Sequence, residues 1–380
     1  MSAKNVLLCT VGTSLFRPNL DGLRAKWQEG TLSENLRPLA EAYAQQNWHA
    51  LAQALLQVAP TERLCGAEIN SIASMVSQGY VSPDCALYFL HSDTADGRHT
   101  GEVLAHYFRL KKHHPVQAIC VPDLQDEDPK RFRTRGLRNL ARLICQIIRQ
   151  HSPKACAINA TGGYKAQIAI GVILGQAIGV PVYYMHERFS EIIAFPPMPV
   201  ALDFELWMRV SGMLYHLETS TEPVPFELYA EDWDERYESL VERVTIDGKP
   251  YLDLSATGQI FHETFKERFR SQRDLVVPPP ALQKHPPRLE AAGWSGRHPE
   301  IRQFLENITR DIAPVVQCTT FYFNPDLPER TRFRLSRGDV IGIFSNGTYT
   351  VMFRVESTAQ TEGQKAALVA LLNNWLFERT

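Results

Sequence analysis

Three loops rich in glycine and hydroxyl side chains follow apolar segments in the first half of the chain. The first is TVGTS (10–14), the second is SDTADG (92–97) and the third is NATGGYK (159–165). Glycine lets a ligand approach the backbone closely, and the hydroxyl groups can hydrogen-bond it. The residues that we expect to contact a ligand are Thr10, Gly12, Thr13, Ser14, Ser92, Asp93, Thr94, Asn159, Thr161, Gly162, Gly163 and Lys165.

The third loop carries the most specific chemistry. Gly162 and Gly163 come directly before a predicted helix, where exposed backbone N–H groups and the helix dipole favour an anion. Lys165 adds a positive charge for a phosphate, and Asn159 and Thr161 can hydrogen-bond a base or a ribose. The spacing is neither that of a P-loop nor G-x-G-x-x-G. We therefore predict a pocket for an adenine nucleotide or an oligonucleotide.

A second group of candidate residues lies near the C-terminus, where arginines alternate with apolar residues. Period 2 places Arg330, Arg332 and Arg334 on one face of a strand, with Phe333 and Leu335 on the other. Such a row is either a solvated sheet face or a cationic platform for an RNA backbone, beside a tyrosine that stacks on a base. On the second interpretation the candidate catalytic residues are Arg330, Arg332, Arg334, Arg337, Tyr349 and Arg354.

Other signatures of nucleases and nucleotide-modifying enzymes are weaker or missing. Arg209 and His216 have the R-x6-H spacing of HEPN ribonucleases, although a chance match on one helix is the favoured interpretation. Asp247-Gly248-Lys249 has the D-x-K spacing of a metal-dependent PD-(D/E)xK nuclease and also the composition of a hairpin turn. The zinc-ligand spacing of a deaminase is missing. We predict no metal site and no cofactor.

The elements that must position the three loops alternate between strand and helix. Strands are predicted at 5–12, 85–92, 116–123, 154–160 and 181–186. Helices are predicted at 35–57, 100–112, 132–149 and 164–178. This alternation implies an α/β fold with right-handed crossovers and a doubly wound parallel sheet. Such a sheet binds its ligand beyond the carboxyl ends of the strands, which is where the three loops lie.

The rest of the chain is predicted to hold two smaller domains. A helix at 204–218, an acidic helix face at 222–242 and a strand and helix at 251–269 fit a winged-helix-like linker or a plain helical one. After a run of prolines, a helix, four antiparallel strands with a turn at Asn346-Gly347 and a last helix form an α+β domain. The predicted domains are 1–202, 203–280 and 281–380.

Composition limits the classes of partner. The 380 residues are 44% hydrophobic, and 40 Lys and Arg against 42 Asp and Glu leave no overall charge to attract nucleic acid. We find no apolar stretch that could span a bilayer and no signal peptide at the N-terminus. The 7 cysteines form no C-x-x-C pair and suit a reduced protein core. We predict a soluble cytoplasmic protein with no membrane partner.

The motif order over residues 4–200 resembles the CARF domains of CRISPR-associated proteins, in particular the branch with ring nucleases for cyclic tetra-adenylate. The resemblance rests on LLCTVGTSL, HSDTADGRHTGEVL, and INATGGYKAQIAI followed by PVYYMHERFSEIIAFPPMPV. It implies a Rossmann-like domain that forms a homodimer around a two-fold symmetric pocket for a cyclic oligoadenylate. It also implies that Thr13, Ser14 and Lys165 match positions that contact the ligand and, in cleaving members, its scissile phosphate.

The C-terminal region resembles the RelE family of mRNA interferases over about residues 284–380, in architecture and composition. Those toxins cut mRNA on the ribosome with arginines, lysine and a tyrosine, which implies a metal-independent endoribonuclease here. The sequence departs from that family in its additional C-terminal helix and in having only Lys284 and Lys365 as lysines.

Together the two resemblances imply an ancillary effector of a type III CRISPR system. Cyclic oligoadenylate, with cyclic tetra-adenylate as the expected activator, would switch on cleavage of mRNA, with the ribosome as a further partner. The CARF-like domain either binds the ring only or also degrades it. The alternatives are a metal-dependent nuclease built on Asp247 and Lys249, or a nucleotide-responsive regulator that binds DNA through a winged helix. The acidic linker disfavours the regulator, because phosphate contacts need Lys or Arg.

Overall fold

The structure is a computed structural model, and it describes residues 3–186, 191–199, 202–290, 299–325 and 329–379. The chain divides into two units, an N-terminal unit of Met1–Ala201 and a C-terminal unit of Leu202–Thr380. None of the described helices is long and apolar enough to cross a membrane.

The N-terminal unit is built on one six-stranded sheet. Its strands are β1 (Lys4–Thr10), β2 (Val81–His91), β3 (Val116–Cys120), β4 (Cys156–Asn159), β5 (Val182–Tyr184) and β6 (Ile193–Phe195). Its helices are α1 (Asp21–Gln28), α2 (Arg37–Ala44), α3 (Trp48–Leu55), α4 (Gly66–Ser77), α5 (Ala95–Leu110), α6 (Pro129–Arg131), α7 (Leu137–His151) and α8 (Lys165–Ile178). Short π or 3-10 turns cover Leu15–Leu20, Glu34–Leu36, Arg63–Cys65 and Phe132–Gly136.

The strands lie in the order β3-β2-β1-β4-β5-β6, and only β6 runs antiparallel to its neighbour. The prediction of an α/β fold with a mostly parallel sheet is confirmed. Leu7 and Cys9 of β1 belong to a core with helices α2 to α5, while the intervening Leu8 is buried on the opposite face of the sheet. Burial of both faces explains why the central strands read as unbroken apolar runs.

One helical prediction for the N-terminal unit was wrong, and one helix was missed. The single helix predicted at 35–57 is divided into α2 and α3, because Gln46 has a φ of 53° and the Asn47 side chain caps α3 by accepting from the Ala50 amide. Helix α4 was not predicted at all, although Ile69, Ile72 and Met75 give it a buried stripe at helical spacing.

In its described residues the C-terminal unit contains two sheets and four longer helices. Its strands are β7 (Val224–Pro225), β8 (Val241–Ile246), β9 (Lys249–Leu254), β10 (Arg288–Leu289), β11 (Val315–Asn324), β12 (Arg332–Ser336), β13 (Asp339–Ser345) and β14 (Thr350–Ser357). Its helices are α9 (Phe204–Thr219), α10 (Ala256–Val276), α11 (Pro299–Asp311) and α12 (Glu362–Phe377). Turns of 3-10 helix cover Phe226–Leu228, Ala230–Asp232 and Glu235–Leu240.

The first part of the C-terminal unit is a small sheet in the order β7-β9-β8, which shares a core with α9 and α10. Ser255 caps α10 by accepting from the Gly258 amide at 2.9 Å. The acidic helix predicted at 222–242 is wrong. Pro223 and Pro225 lack the N–H groups that a helix needs, and the segment folds into β7, three 3-10 turns and the start of β8.

The second part is a five-stranded sheet in the order β10-β11-β14-β13-β12. The predicted antiparallel strands and the Asn346-Gly347 turn between β13 and β14 are confirmed. One face of α12, with Ala366 and Ala370, packs in the core with α9 and α10. Another face, with Leu368 and Leu372, packs in the core of the five-stranded sheet. Helix α12 therefore joins the two parts of this unit.

Candidate functional site

The first and third predicted loops meet because of the strand order. Chain order reverses between the neighbouring strands β1 and β4, so the loops that follow them lead to opposite faces of the sheet. A crevice opens between these loops beyond the carboxyl ends of the strands. Gly12, Thr13 and Ser14 line it from the first loop, and Thr161, Gly162 and Gly163 line it from the third.

Small residues allow the two loops to lie against each other. A Cβ atom on Gly12 would come 2.6 Å from the Gly163 nitrogen, which is closer than real contacts allow. Gly163 has a φ of 97°, in the region that favours glycine. The hydroxyl of Thr10 donates to the Gly162 carbonyl at 2.6 Å and fastens the third loop to β1. The glycines of both loops are therefore required by packing as well as by any ligand.

A buried carboxylate supports the first loop from behind. Glu68 of α4 is 1% exposed, and its Oε1 atom accepts a 2.7 Å hydrogen bond from the Gly12 amide. Burial raises the pKa of Glu68 to about 7, and the hydrogen bond from Gly12 opposes that rise. A Cβ on Gly162 would collide with the same carboxylate. Glu68 therefore sets the separation between the two loops and α4.

The crevice is a cleft of about 1110 Å³ whose walls also include helices α4 and α8. The first residues of both helices, Gly66 and Lys165, line the cleft, so two helix N-termini contribute partial positive charge. The cationic side chains along its walls are Arg17, Arg63 and Lys165. Among the lining residues that the structure describes there is no carboxylate. The cleft is therefore suited to an anionic ligand.

Seven of the twelve predicted ligand-binding residues line this cleft. They are Gly12, Thr13, Ser14, Thr161, Gly162, Gly163 and Lys165. The Ser14 oxygen accepts from the Ala67 amide at 3.1 Å, which leaves its hydroxyl proton to donate. Lys165 is exposed and has no ion pair within the described part of the chain. These two side chains are the most available donors at the loop ends.

Thr10 and Asn159 lie beneath the cleft and do not line it. Both are buried, and Asn159 donates to Ser71 Oγ at 2.8 Å and accepts from Thr161 Oγ1 at 2.6 Å. Thr161 also accepts from the Met185 amide at 3.1 Å, so it is held from two sides. Residues predicted to bind a base therefore position the loop from below.

The second predicted loop is not brought to the cleft, because β2 lies on the far side of β1 from β4. Thr94 caps α5 by accepting from the Gly97 amide at 3.1 Å, and Ser92 bonds Thr94 at 2.9 Å. Asp93 accepts from the thiol of Cys120 at 3.4 Å. The hydroxyl and carboxylate groups of this loop satisfy local backbone and side-chain partners.

Sequence reasoning missed one wall of the cleft, formed by α4 and the segment before it. Arg63 and Asn70 line it, and Asn70 donates to the Pro60 carbonyl at 2.6 Å, which ties this segment to α4. Arg17, from the turn after the first loop, is held by an ion pair to Asp96 at 2.7 Å. His186, after β5, lines the opposite side. The amphipathic spacing of α4 was the signal that could have identified this wall.

The arginines of β12 lie on one face of the strand, as period 2 implies, but another segment covers that face. Arg334 pairs with Asp232 and, at 3.0 Å, with Glu231. The hydrogen bond from Arg334 holds the pKa of Glu231 below its ordinary value. Arg332 is 4% exposed and donates to the Leu228 carbonyl at 3.0 Å. The acidic segment thus neutralises Arg334 and covers Arg332, two arginines that the sequence suggested were open to RNA.

The remaining candidate residues of the C-terminal unit are not gathered at one point. Arg337 is exposed and pairs with Glu231 at 3.2 Å, and Arg354 pairs with Asp339 at 3.0 Å. Tyr349 belongs to the core of the five-stranded sheet, and burial raises its pKa to about 12. Arg330 is exposed, with no ion pair in the described residues.

The structure also locates the residues of the metal-nuclease alternative. Asp247, with a φ of 50°, and Gly248 form the exposed two-residue turn between β8 and β9, and Lys249 follows as an exposed residue. This geometry favours the hairpin interpretation of the D-G-K sequence. Throughout the described ranges, no group of three or more His, Cys, Asp or Glu residues could hold a metal ion.

Comparison with known proteins adds one finding. No match was found among curated proteins. Residues 63–198, about a third of the chain, match a family model described as CRISPR-associated protein (Cas_APE2256). The matched region runs from α4 through β6, and it includes the third loop and the cationic residues Arg63 and Lys165. The match supports the identification of this chain as a CRISPR-associated protein.

Proposed function

We propose that the N-terminal unit is a sensor for a cyclic oligoadenylate and that the cleft between its first and third loops binds that ligand. The observation that carries the proposal is the charge of the cleft. Two helix N-termini and three cationic side chains line it, of which Arg17 is paired with Asp96, and the described lining residues include no carboxylate. Phosphodiester groups are the natural counterparts of such a site.

The size and shape of the cleft favour an oligonucleotide over a mononucleotide. Its volume of about 1110 Å³ exceeds the range of roughly 300–1,000 Å³ typical of small-molecule pockets. Arg63 and Lys165 come from different walls, so they can contact different phosphates of one ligand. Thr161 and Thr13 offer polar groups for ribose or base between them.

The ligand symmetry implies a homodimer. A cyclic tetranucleotide has two-fold symmetry, and an isologous dimer offers the same loops twice. Each copy of the cleft would then bind half of the ring, with the ring on the dimer axis. Cyclic tetra-adenylate is therefore the proposed activator.

The same cleft offers groups for opening the ring. Attack of a ribose 2′-hydroxyl on the adjacent phosphorus forms a 2′,3′-cyclic phosphate and releases the 5′-oxygen, and the developing charge on the phosphorane needs nearby cations and donors. Lys165, the Ser14 hydroxyl and the Gly163 amide lie at the loop ends where they can supply them. Ring opening is the proposed second activity of the N-terminal unit.

For the C-terminal unit we propose a ribonuclease that acts on mRNA without a metal and is switched on by the sensor. It is supported by the antiparallel sheet packed on helices and by Arg330, the cation of the candidate set with no ion pair among described residues. The neutralised Arg332 and Arg334 are assigned a structural role in this proposal.

Two measurements test these functions separately. Isothermal titration calorimetry with cyclic tetra-adenylate tests the sensor, and the expected stoichiometry is one ring per two chains. Cleavage of a labelled mRNA, with ribosomes supplied, tests the effector with and without the ring and with and without EDTA. We expect cleavage only with the ring and equally in EDTA. Loss of cleavage in EDTA would instead favour the metal-nuclease alternative.

A further inference from the structure

A second cavity, of about 220 Å³, lies within the C-terminal unit. The end of α9, the start of β12 and the end of α12 form its walls. Its chemistry-bearing residues are His216, Glu329, Arg330 and Arg332. Because a liquid water molecule takes roughly 30 Å³, this volume suits one phosphate group with its ribose and not a stack of bases.

Two of the charged residues in this cavity neutralise each other. The Arg332 guanidinium and the Glu329 carboxylate form an ion pair at 2.9 Å, and their side chains are 4% and 7% exposed. Arg332 also lies with its guanidinium carbon 5.0 Å from the ring centre of Tyr229. This pair is therefore held in place by packing, and the charge that remains in the cavity is that of Arg330.

His216 is oriented by a tyrosine. Its Nδ1 atom is 2.5 Å from the Tyr229 hydroxyl, and Nε2 has no hydrogen-bond partner among the described residues. Burial, together with the nearby charges of Arg330 and Arg332, lowers the pKa of His216 to about 3. The imidazole is therefore neutral at physiological pH. When the Tyr229 hydroxyl donates to Nδ1, Nε2 carries the proton and becomes a donor on the cavity side.

We infer that this cavity binds one phosphodiester group of single-stranded RNA, with Arg330 and the Nε2–H of His216 as the donors. An exposed cation with no ion pair among the described residues and a neutral imidazole held by Tyr229 provide charge and direction for a single anion. Arg209 takes no part, although its spacing from His216 drew attention in the sequence, because it pairs with Glu205 at 2.9 Å and with Glu362 at 3.5 Å.

This inference rests on the proposed action of the C-terminal unit on RNA. It assigns the RNA contact to the edge of β12 that faces α9, and not to the arginine face that the acidic segment covers. His216 comes from α9, more than a hundred residues before Arg330 in the chain, so no local motif links the two residues.

The experiment uses the full chain with cyclic tetra-adenylate and a fluorescent twelve-nucleotide RNA whose 2′-hydroxyls are methylated to prevent cleavage. Anisotropy measures RNA affinity for wild type, Arg330→Ala and His216→Ala. Arg273→Ala is the matched control, because Arg273 is an exposed arginine of α10 outside the cavity. We expect a loss of tenfold or more for Arg330→Ala and a smaller loss for His216→Ala, with the control unchanged.

A second measurement reports on His216 directly. Long-range ¹H–¹⁵N correlation spectra of wild type should show a neutral imidazole protonated at Nε2, and RNA should shift the Nε2 signal while the ring stays neutral. If wild type binds RNA and both cavity variants bind it with the same affinity as Arg273→Ala, the assignment of this cavity is wrong. No RNA binding by wild type, with the ring still bound by the sensor, would instead overturn the proposed ribonuclease.

Discussion

The Gly12 amide donates to the Oε1 atom of Glu68 over 2.7 Å, and this bond joins the first loop of the cleft to helix α4. A Cβ atom on Gly162 would collide with the same carboxylate, so one buried side chain lies against both loops. A change in its protonation therefore acts on the hydrogen bond from Gly12 and on the packing beside Gly162. The first prediction follows from this relationship.

Glu68 should make the N-terminal unit less stable as pH rises. Burial raises its pKa to about 7 from an ordinary 4.5, so between these values the folded state holds a proton that the unfolded chain has lost. The free energy of unfolding therefore falls with rising pH over this interval, by about 3 kcal/mol in total. Glu68→Gln cannot ionise and should lack this dependence. Urea unfolding at several pH values gives the difference between the two proteins, and parallel pH profiles would contradict the assignment.

Gly12→Ala should distort the cleft without unfolding the protein. The added methyl group would lie 2.6 Å from the Gly163 nitrogen, so the two loops must separate. We expect the affinity for cyclic tetra-adenylate to fall at least tenfold in calorimetry. Gly22→Ala is the control, because nothing lies within 4 Å of its added Cβ in helix α1. That change should leave affinity intact and stabilise the fold by about 0.5–1 kcal/mol.

Lys165→Ala should weaken binding of the cyclic oligoadenylate. Loss of one charge-assisted phosphate contact costs about 1.5–3 kcal/mol, or roughly ten- to a hundredfold in affinity. Lys154→Ala removes an exposed lysine that does not line the cleft and should bind normally. Equal affinities for the two variants would remove the start of α8 from the ligand site.

The parts of the fold that sequence predicted well are those with an unambiguous period. Buried runs such as Leu7 to Cys9 specified the parallel strands, and alternation specified β11 to β14. The second loop was wrongly predicted to join the ligand site, although its strand has a clear apolar run. Its strand, β2, is like β1 in composition, and only the lateral order of strands decides that Ser92 lies away from the cleft.

The arginine face shows what periodicity cannot provide. The period-2 pattern placed Arg332 and Arg334 on one side of β12. Their partners Leu228 and Asp232 precede them by about a hundred residues and were assigned to a helix. The same distance kept sequence reasoning from pairing His216 with Arg330, which line one cavity because α9 packs near β12. Local pattern predicts which residues share a face, and long-range packing decides what covers it.

The last prediction is that Arg334 contributes mainly to the stability of the fold and Arg330 mainly to the rate of RNA cleavage. Arg334→Ala removes a 17% exposed side chain that pairs with Asp232 and with Glu231, and Glu231 keeps Arg337 as a partner at 3.2 Å. The loss of the cation beside Asp232 should lower the free energy of unfolding by about 1–3 kcal/mol. Arg330→Ala removes an exposed cation with no ion pair among the described residues, so stability should change by less than about 0.5 kcal/mol.

Ring-activated RNA cleavage should show the opposite order. The rate should fall on the order of 10²-fold for Arg330→Ala, by analogy with the loss of one transition-state donor, and little for Arg334→Ala at temperatures where it is folded. Urea unfolding and cleavage measured on the same protein samples give both quantities. A large loss of rate in a fully folded Arg334→Ala, with normal cleavage by Arg330→Ala, would return catalysis to the face that the acidic segment covers.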